Sequence, residues 1–133
     1  MSQKVIDEQL ALCPQYVQDN VGVIIYKPNS WGTAMLISGA TDIHTGEIWL
    51  TVWADKHALL HEIAHSVYFR VPNQTFTEEF CRQSGFVSIW SVGLQEEIAE
   101  AFVEGMKGRS NPKIDCAIDF FRGKFFEKTL AGL

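Results

Sequence analysis

The chain has 133 residues, 47% of them hydrophobic and 20% charged, which suits one domain with a buried core and is too apolar for disorder. Its net charge is −5, from 16 acidic against 11 basic residues, and Lys and Arg form no run. That balance argues against nucleic acid and anionic membrane surfaces as partners, since both call for a basic face.

The three cysteines, Cys13, Cys81 and Cys116, are odd in number, widely spaced and without a CxxC pair. They read as free thiols of a reducing compartment, not as zinc ligands or a redox pair. The N-terminal MSQKVIDEQLALC lacks the basic patch and apolar run of a signal peptide. No stretch reaches the roughly 18 apolar residues of a membrane span. The expectation is a cytoplasmic protein.

In chain order, Val5, Ile6, Leu10, Leu12 and Val17 lie loosely at helical spacing and predict a helix over 3–18, broken near Pro14. VGVIIY, 21–26, predicts a strand, TAMLISGA, 33–40, a second, and EIWLTVW, 47–53, a third. In the third, Ile48, Leu50 and Val52 alternate with Trp49, Thr51 and Trp53. The TDIHTG turn between the last two suits an antiparallel hairpin. Asp55 is a candidate N-cap for a helix over 56–70, which Pro72 ends. Thr75 can cap a further helix from Phe76. LQEEIAEAFVEGMKG, from Leu94, predicts another, closed by Gly108. Asn111 and Pro112 then open a last helix, with Ile114, Ala117, Ile118, Phe121 and Phe125 as its apolar stripe. The fold class is therefore α+β: one domain, 1–133, with a small, mainly antiparallel sheet packed against helices.

The chemistry concentrates in HALLHEIAHSVYF, 57–69. Residues four apart share a helix face, with Cβ atoms about 5–6 Å apart, so His61 and His65 can offer two imidazoles to one Zn²⁺. Glu62, about 100° round the helix, is placed to reach water at the metal. This is the H-E-x-x-H arrangement. Zinc lowers the pKa of its water to about 7, and Glu62 would act as general base. The bland reading is an ordinary polar helix face.

A catalytic zinc needs a third protein ligand. No histidine follows His65, so a carboxylate must serve. Glu96 and Glu100 are four apart and share a face: one can bind the metal while the other orients a ligand histidine. Glu97 points elsewhere, though spacing alone does not decide whether Glu96 or Glu97 is the ligand. Glu78 and Glu79 are weaker candidates. An acidic, solvent-facing strip is the competing explanation.

HEIAH with the downstream EEIAEAF, 96–102, resembles the gluzincin peptidases, and specifically the ligand helix of the anthrax lethal factor-type peptidases. The phage-repressor-cleaving ImmA/IrrE-type peptidases, which share HExxH and a Glu-rich helix, are second. The resemblance implies a zincin-like fold and a zinc-dependent endopeptidase acting on a protein or peptide. It implies His61, His65 and Glu96 as metal ligands, Glu62 as the catalytic base and Glu100 as the group that orients a ligand. It further implies that EIWLTVW is the edge strand that holds an extended substrate. That family carries a tyrosine seven residues before the ligand glutamate; here Ile89 stands there, beside Trp90 and Ser91. Tyr68, three residues after His65, is read chiefly as packing and as the candidate transition-state donor. A catalytically weak zinc-binding or protein-interaction module on the same scaffold is the alternative.

His57, four before His61, reads as structural or surface, or else as an outer group at the metal. His44 falls in a turn. Trp49 and Trp53 read as core and rim that could flank a substrate cleft. The small size suits one dedicated substrate, as in mobile-element and toxin-like peptidases. Oligomeric state has no signature in the sequence.

Overall fold

The structure is a computed structural model that describes residues 1–28, 34–70 and 91–124. The helix expected from Phe76, with Glu78, Glu79 and Cys81, lies outside those residues, as do Pro72, Ile89, Trp90 and Phe125.

The N-terminal helical stretch divides at Pro14, as expected. Helix α1 spans Gln3–Leu12 and α2 spans Gln15–Asn20. Ser2 caps α1, its side chain accepting from the Val5 amide. Three short strands follow: β1 (Ile24–Tyr26), β2 (Gly39–Thr41) and β3 (Ile48–Leu50). They form one sheet in the order β1-β3-β2. β3 pairs with β1 in parallel, Ile24 opposite Ile48, and with β2 antiparallel, Ala40 opposite Trp49. The expected hairpin is present, and the parallel partner makes the sheet mixed.

Each strand is shorter than its apolar run, for local reasons. Leu36 adopts φ 61°, a left-handed conformation that cannot propagate a strand. Met35 and Leu36 stand exposed, so pairing starts only at Gly39. In the third strand the alternation fails after Leu50. Thr51 is buried, and its hydroxyl donates to the Ile37 carbonyl. The chain then turns, and Val52 and Trp53 are exposed. The assignment of EIWLTVW as the substrate-holding edge is corrected as well: β3 is the central strand, and β2 is an edge. β3 is central because Ile48 and Leu50, both 0% exposed, are its inward residues.

Helix α3 spans Lys56–Arg70. Asp55 caps it as expected, Oδ1 accepting from the Ala58 amide at 2.8 Å. The helix packs on both the sheet and helix α4 (Ser91–Met106), so Leu59, Ile63 and Val67 are fully buried. After α4, Gly108 takes φ 87°, a conformation glycine adopts without a Cβ penalty. Asn111 then caps helix α5 (Pro112–Phe121), its Oδ1 accepting from the Ile114 amide at 2.8 Å. α5 packs on α4, with Phe121 4.6 Å from Phe102 between ring centroids. A small mixed sheet thus lies against one long helix, backed by further helices. No helix among the described residues is long and apolar enough to cross a membrane.

Candidate metal centre

α3 and α4 lie side by side, so the HEIAH face of α3 meets the EEIAE face of α4. The i, i+4 spacing puts His61 and His65 on adjacent turns, their Nε2 atoms 3.0 Å apart. From α4, Glu96 brings Oε2 within 3.0 Å of His61 Nε2 and Oε1 within 2.9 Å of His65 Nε2. The three residues offer ligand atoms within 4.8 Å of one another.

These residues fit a divalent cation. Two imidazole lone pairs and a carboxylate that face one another repel when all are deprotonated, and a cation between them removes the repulsion. Tetrahedral zinc ligands at about 2.0–2.1 Å from the ion lie about 3.3 Å apart, close to the separations found. The Nδ1 atoms of both rings are buried without a hydrogen-bond partner among the described residues. Nδ1 protonation leaves Nε2 as the lone-pair atom on each ring.

Around this cluster the charges are ordered. Glu100 Oε1 lies 2.7 Å from His61 Nδ1, but without the alignment of a hydrogen bond, so the attraction is electrostatic. Glu100 also reaches His57 Nε2 at 3.2 Å, and Lys107 Nζ stands 3.1 Å from His57 Nδ1. Glu97 turns away to pair with Lys113 at 2.8 Å. Burial, the largest influence, holds the pKa of His65 below its ordinary 6.5, against the raising pull of Glu96. A neutral His65 keeps the lone pair that a metal needs. Its ring also stacks on Phe69, with centroids 5.8 Å apart.

Glu62 faces the sheet. Its Oε2 accepts from Thr41 Oγ1 on β2. It lines a cleft of about 280 Å³ together with His65, Glu96, Thr41, Ile43 and Phe69, among others. The cleft thus runs from edge strand β2 to the His–His–Glu cluster. Trp49 lines a smaller hollow beside Ala40 and Thr41, and its ring carries Lys27 Nζ at 4.1 Å. Trp53 is exposed.

Tyr68, read as packing and as candidate transition-state donor, is 1% exposed and packs 6.1 Å from Phe120 of α5. That places the ring in the core, on the side of α3 that meets the neighbouring helices. Cys13 is a buried free thiol, and Cys116 is half-buried.

Two parts of the site are silent in the sequence. Thr41 carries no motif and sits 21 residues before Glu62. Ile43 and Phe69 join the cleft only because β2 and α3 are adjacent. For His57 the signal was present, since it continues the i, i+4 series of His61 and His65.

Comparison with protein-family models, with curated proteins and with solved structures finds no match for this chain. What the site shows therefore rests on geometry: a His61-Glu62-x-x-His65 helix and a downstream Glu96 form a His–His–Glu cluster that is consistent with a gluzincin-like motif and compatible with a bound metal.

Proposed function

We propose that this chain is a zinc-dependent endopeptidase, with His61, His65 and Glu96 as metal ligands, Glu62 as general base and Glu100 as the group that orients His61. One observation carries the reading: ligand atoms from two helices converge within 4.8 Å, and Glu62 lines the cleft beside them. When bound, zinc supplies Lewis acidity, which acidifies water and polarises a carbonyl oxygen.

The chain's own residues do the rest. The Glu62 carboxylate accepts a proton from the attacking water and returns it to the leaving amine nitrogen, so that one water and one peptide bond become a carboxylic acid and an amine. Among the described residues β2 is an edge strand at the rim of the cleft, and an extended peptide can add to such an edge by main-chain hydrogen bonds. Ile43 and Phe69 supply apolar wall. The substrate is a protein or peptide; an acidic chain of net charge −5 is poorly suited to nucleic acid.

The test is elemental analysis together with E62Q. The expected result is about one zinc per chain in both proteins, with peptide cleavage falling at least about 100-fold in the variant. Equal turnover in E62Q would sink the peptidase reading and leave a zinc-binding module. Absence of zinc from the wild type would remove the metal reading altogether.

A further inference from the structure

We infer that Thr41, with Gly39 beside it on β2, is the positioning residue for Glu62: the edge strand of the sheet, and not the metal helix, sets where the base stands. The inference rests on the peptidase reading above and adds to it a residue outside both motifs.

Gly39 and Thr41 are two apart on one strand, so they look to the same face of the sheet, here the face that α3 covers. Thr41 meets the head of Glu62 and Gly39 meets its stem. Thr41 Oγ1 donates to Glu62 Oε2 and has the Glu62 backbone carbonyl as a second acceptor at 3.3 Å. A hydroxyl has one proton. While Glu62 is ionised the charged oxygen is the stronger acceptor, so the proton belongs to Oε2. That commits Oε2 to the sheet and leaves Oε1 as the atom that takes the proton from water. At position 39, a Cβ would stand 3.3 Å from Glu62 Cγ and 3.0 Å from the Trp49 carbonyl oxygen. The glycine leaves the space that the Glu62 methylenes use.

Helix α3 alone cannot do this. A glutamate has three side-chain torsions, and the helix fixes its Cα and narrows only the first of them. A base must lie within about 2.6–3.2 Å of the proton it abstracts. A donor on the adjacent strand fixes the carboxylate before substrate arrives. Because the same strand borders the cleft, any shift of β2 moves the base as well.

The test is a steady-state comparison of wild type, T41V and T41S, zinc-loaded, on a fluorogenic peptide that the wild type selects from a mixed-sequence library. Valine keeps the β-branched shape that a strand favours and removes the hydroxyl. The expected result is a fall of about 10–100-fold in kcat for T41V, with KM and zinc content unchanged, and with T41S restoring most of the lost turnover. A merely structural hydroxyl would lower thermal stability in T41V and leave kcat of the folded fraction at the wild-type value; that outcome overturns the inference alone. Failure of T41S to restore turnover also overturns it, since serine carries the same donor. If the wild type cleaves no peptide of the library, the peptidase reading falls and this inference with it.

Discussion

At the scale of single residues, Glu100 shows how one side chain serves several partners. It is half exposed, yet it lies within hydrogen-bonding distance of both His57 and His61. A carboxylate beside a ligand imidazole fixes ring orientation and raises the basicity of the ligand nitrogen. In E100Q the zinc dissociation constant is expected to rise about 10–100-fold, as read by competition with a chromogenic chelator. Loss of Glu96 is of another kind, because it removes a ligand: E96A should abolish stoichiometric zinc. If E100Q and E96A weaken zinc equally, the division of roles between the two glutamates is wrong. Cys13 is a contrasting case. Burial pushes its thiol up to about 11, so it stays protonated at neutral pH and unreactive toward alkylating agents.

At the scale of elements, the site depends on how α3 is fastened to the loops that flank the strands. Ser66, next to His65, is fully buried. Its hydroxyl accepts from the Gly22 amide at 2.8 Å and donates to the Gly46 carbonyl. Gly22 packs so closely that a Cβ there would stand 2.3 Å from the Gly46 carbonyl oxygen. One serine thus ties the helix to the lead-in of β1 and of β3 together. S66A should strand both backbone groups, at a cost of about 1–3 kcal/mol for each, seen as a lower urea midpoint with unchanged slope. An unchanged midpoint would show that water replaces the hydroxyl. The caps at Asp55 and Asn111 and the break at Pro14 were legible in the sequence because each acts over three or four residues. The strand lengths were not. Thr51 turns inward to reach backbone from residues 37 and 38, and Leu36 enters left-handed backbone; apolar periodicity carries neither fact.

At the scale of the whole molecule, α3 and α4 are held side by side by a shared core, and the His–His–Glu cluster is the polar end of that contact. Zinc should therefore stabilise the fold. At a free concentration about 100 times its dissociation constant the gain is about 2.7 kcal/mol, read as the difference in melting temperature before and after chelation. Acid should act in the same direction as the chelator. The lowered pKa of His65 means that, between that value and 6.5, the unfolded chain binds the extra proton. The contribution of a neutral His65 is thus fully present above about 6.5 and is lost as pH falls toward the lowered folded value. Urea midpoints of the metal-free protein should fall as pH drops from about 7 toward 5, and H65Q should flatten that slope. An identical slope in H65Q would assign the effect to other groups.

The sequence by itself determined the helical periodicity, the caps, the α+β order of elements and the pairing of His61 with His65, because each follows from contacts between residues a few positions apart. It also offered Glu96, Glu97 and Glu100 without ranking them on spacing alone. Only the tertiary structure sets these apart in space: Glu96 faces both His61 and His65, Glu100 faces His61 and His57, and Glu97 faces Lys113. Which strand forms the edge, and that Thr41 holds Glu62, were likewise settled only there. A helix fixes the direction of a side chain, but what lies in that direction is set by the packing of elements distant in the chain.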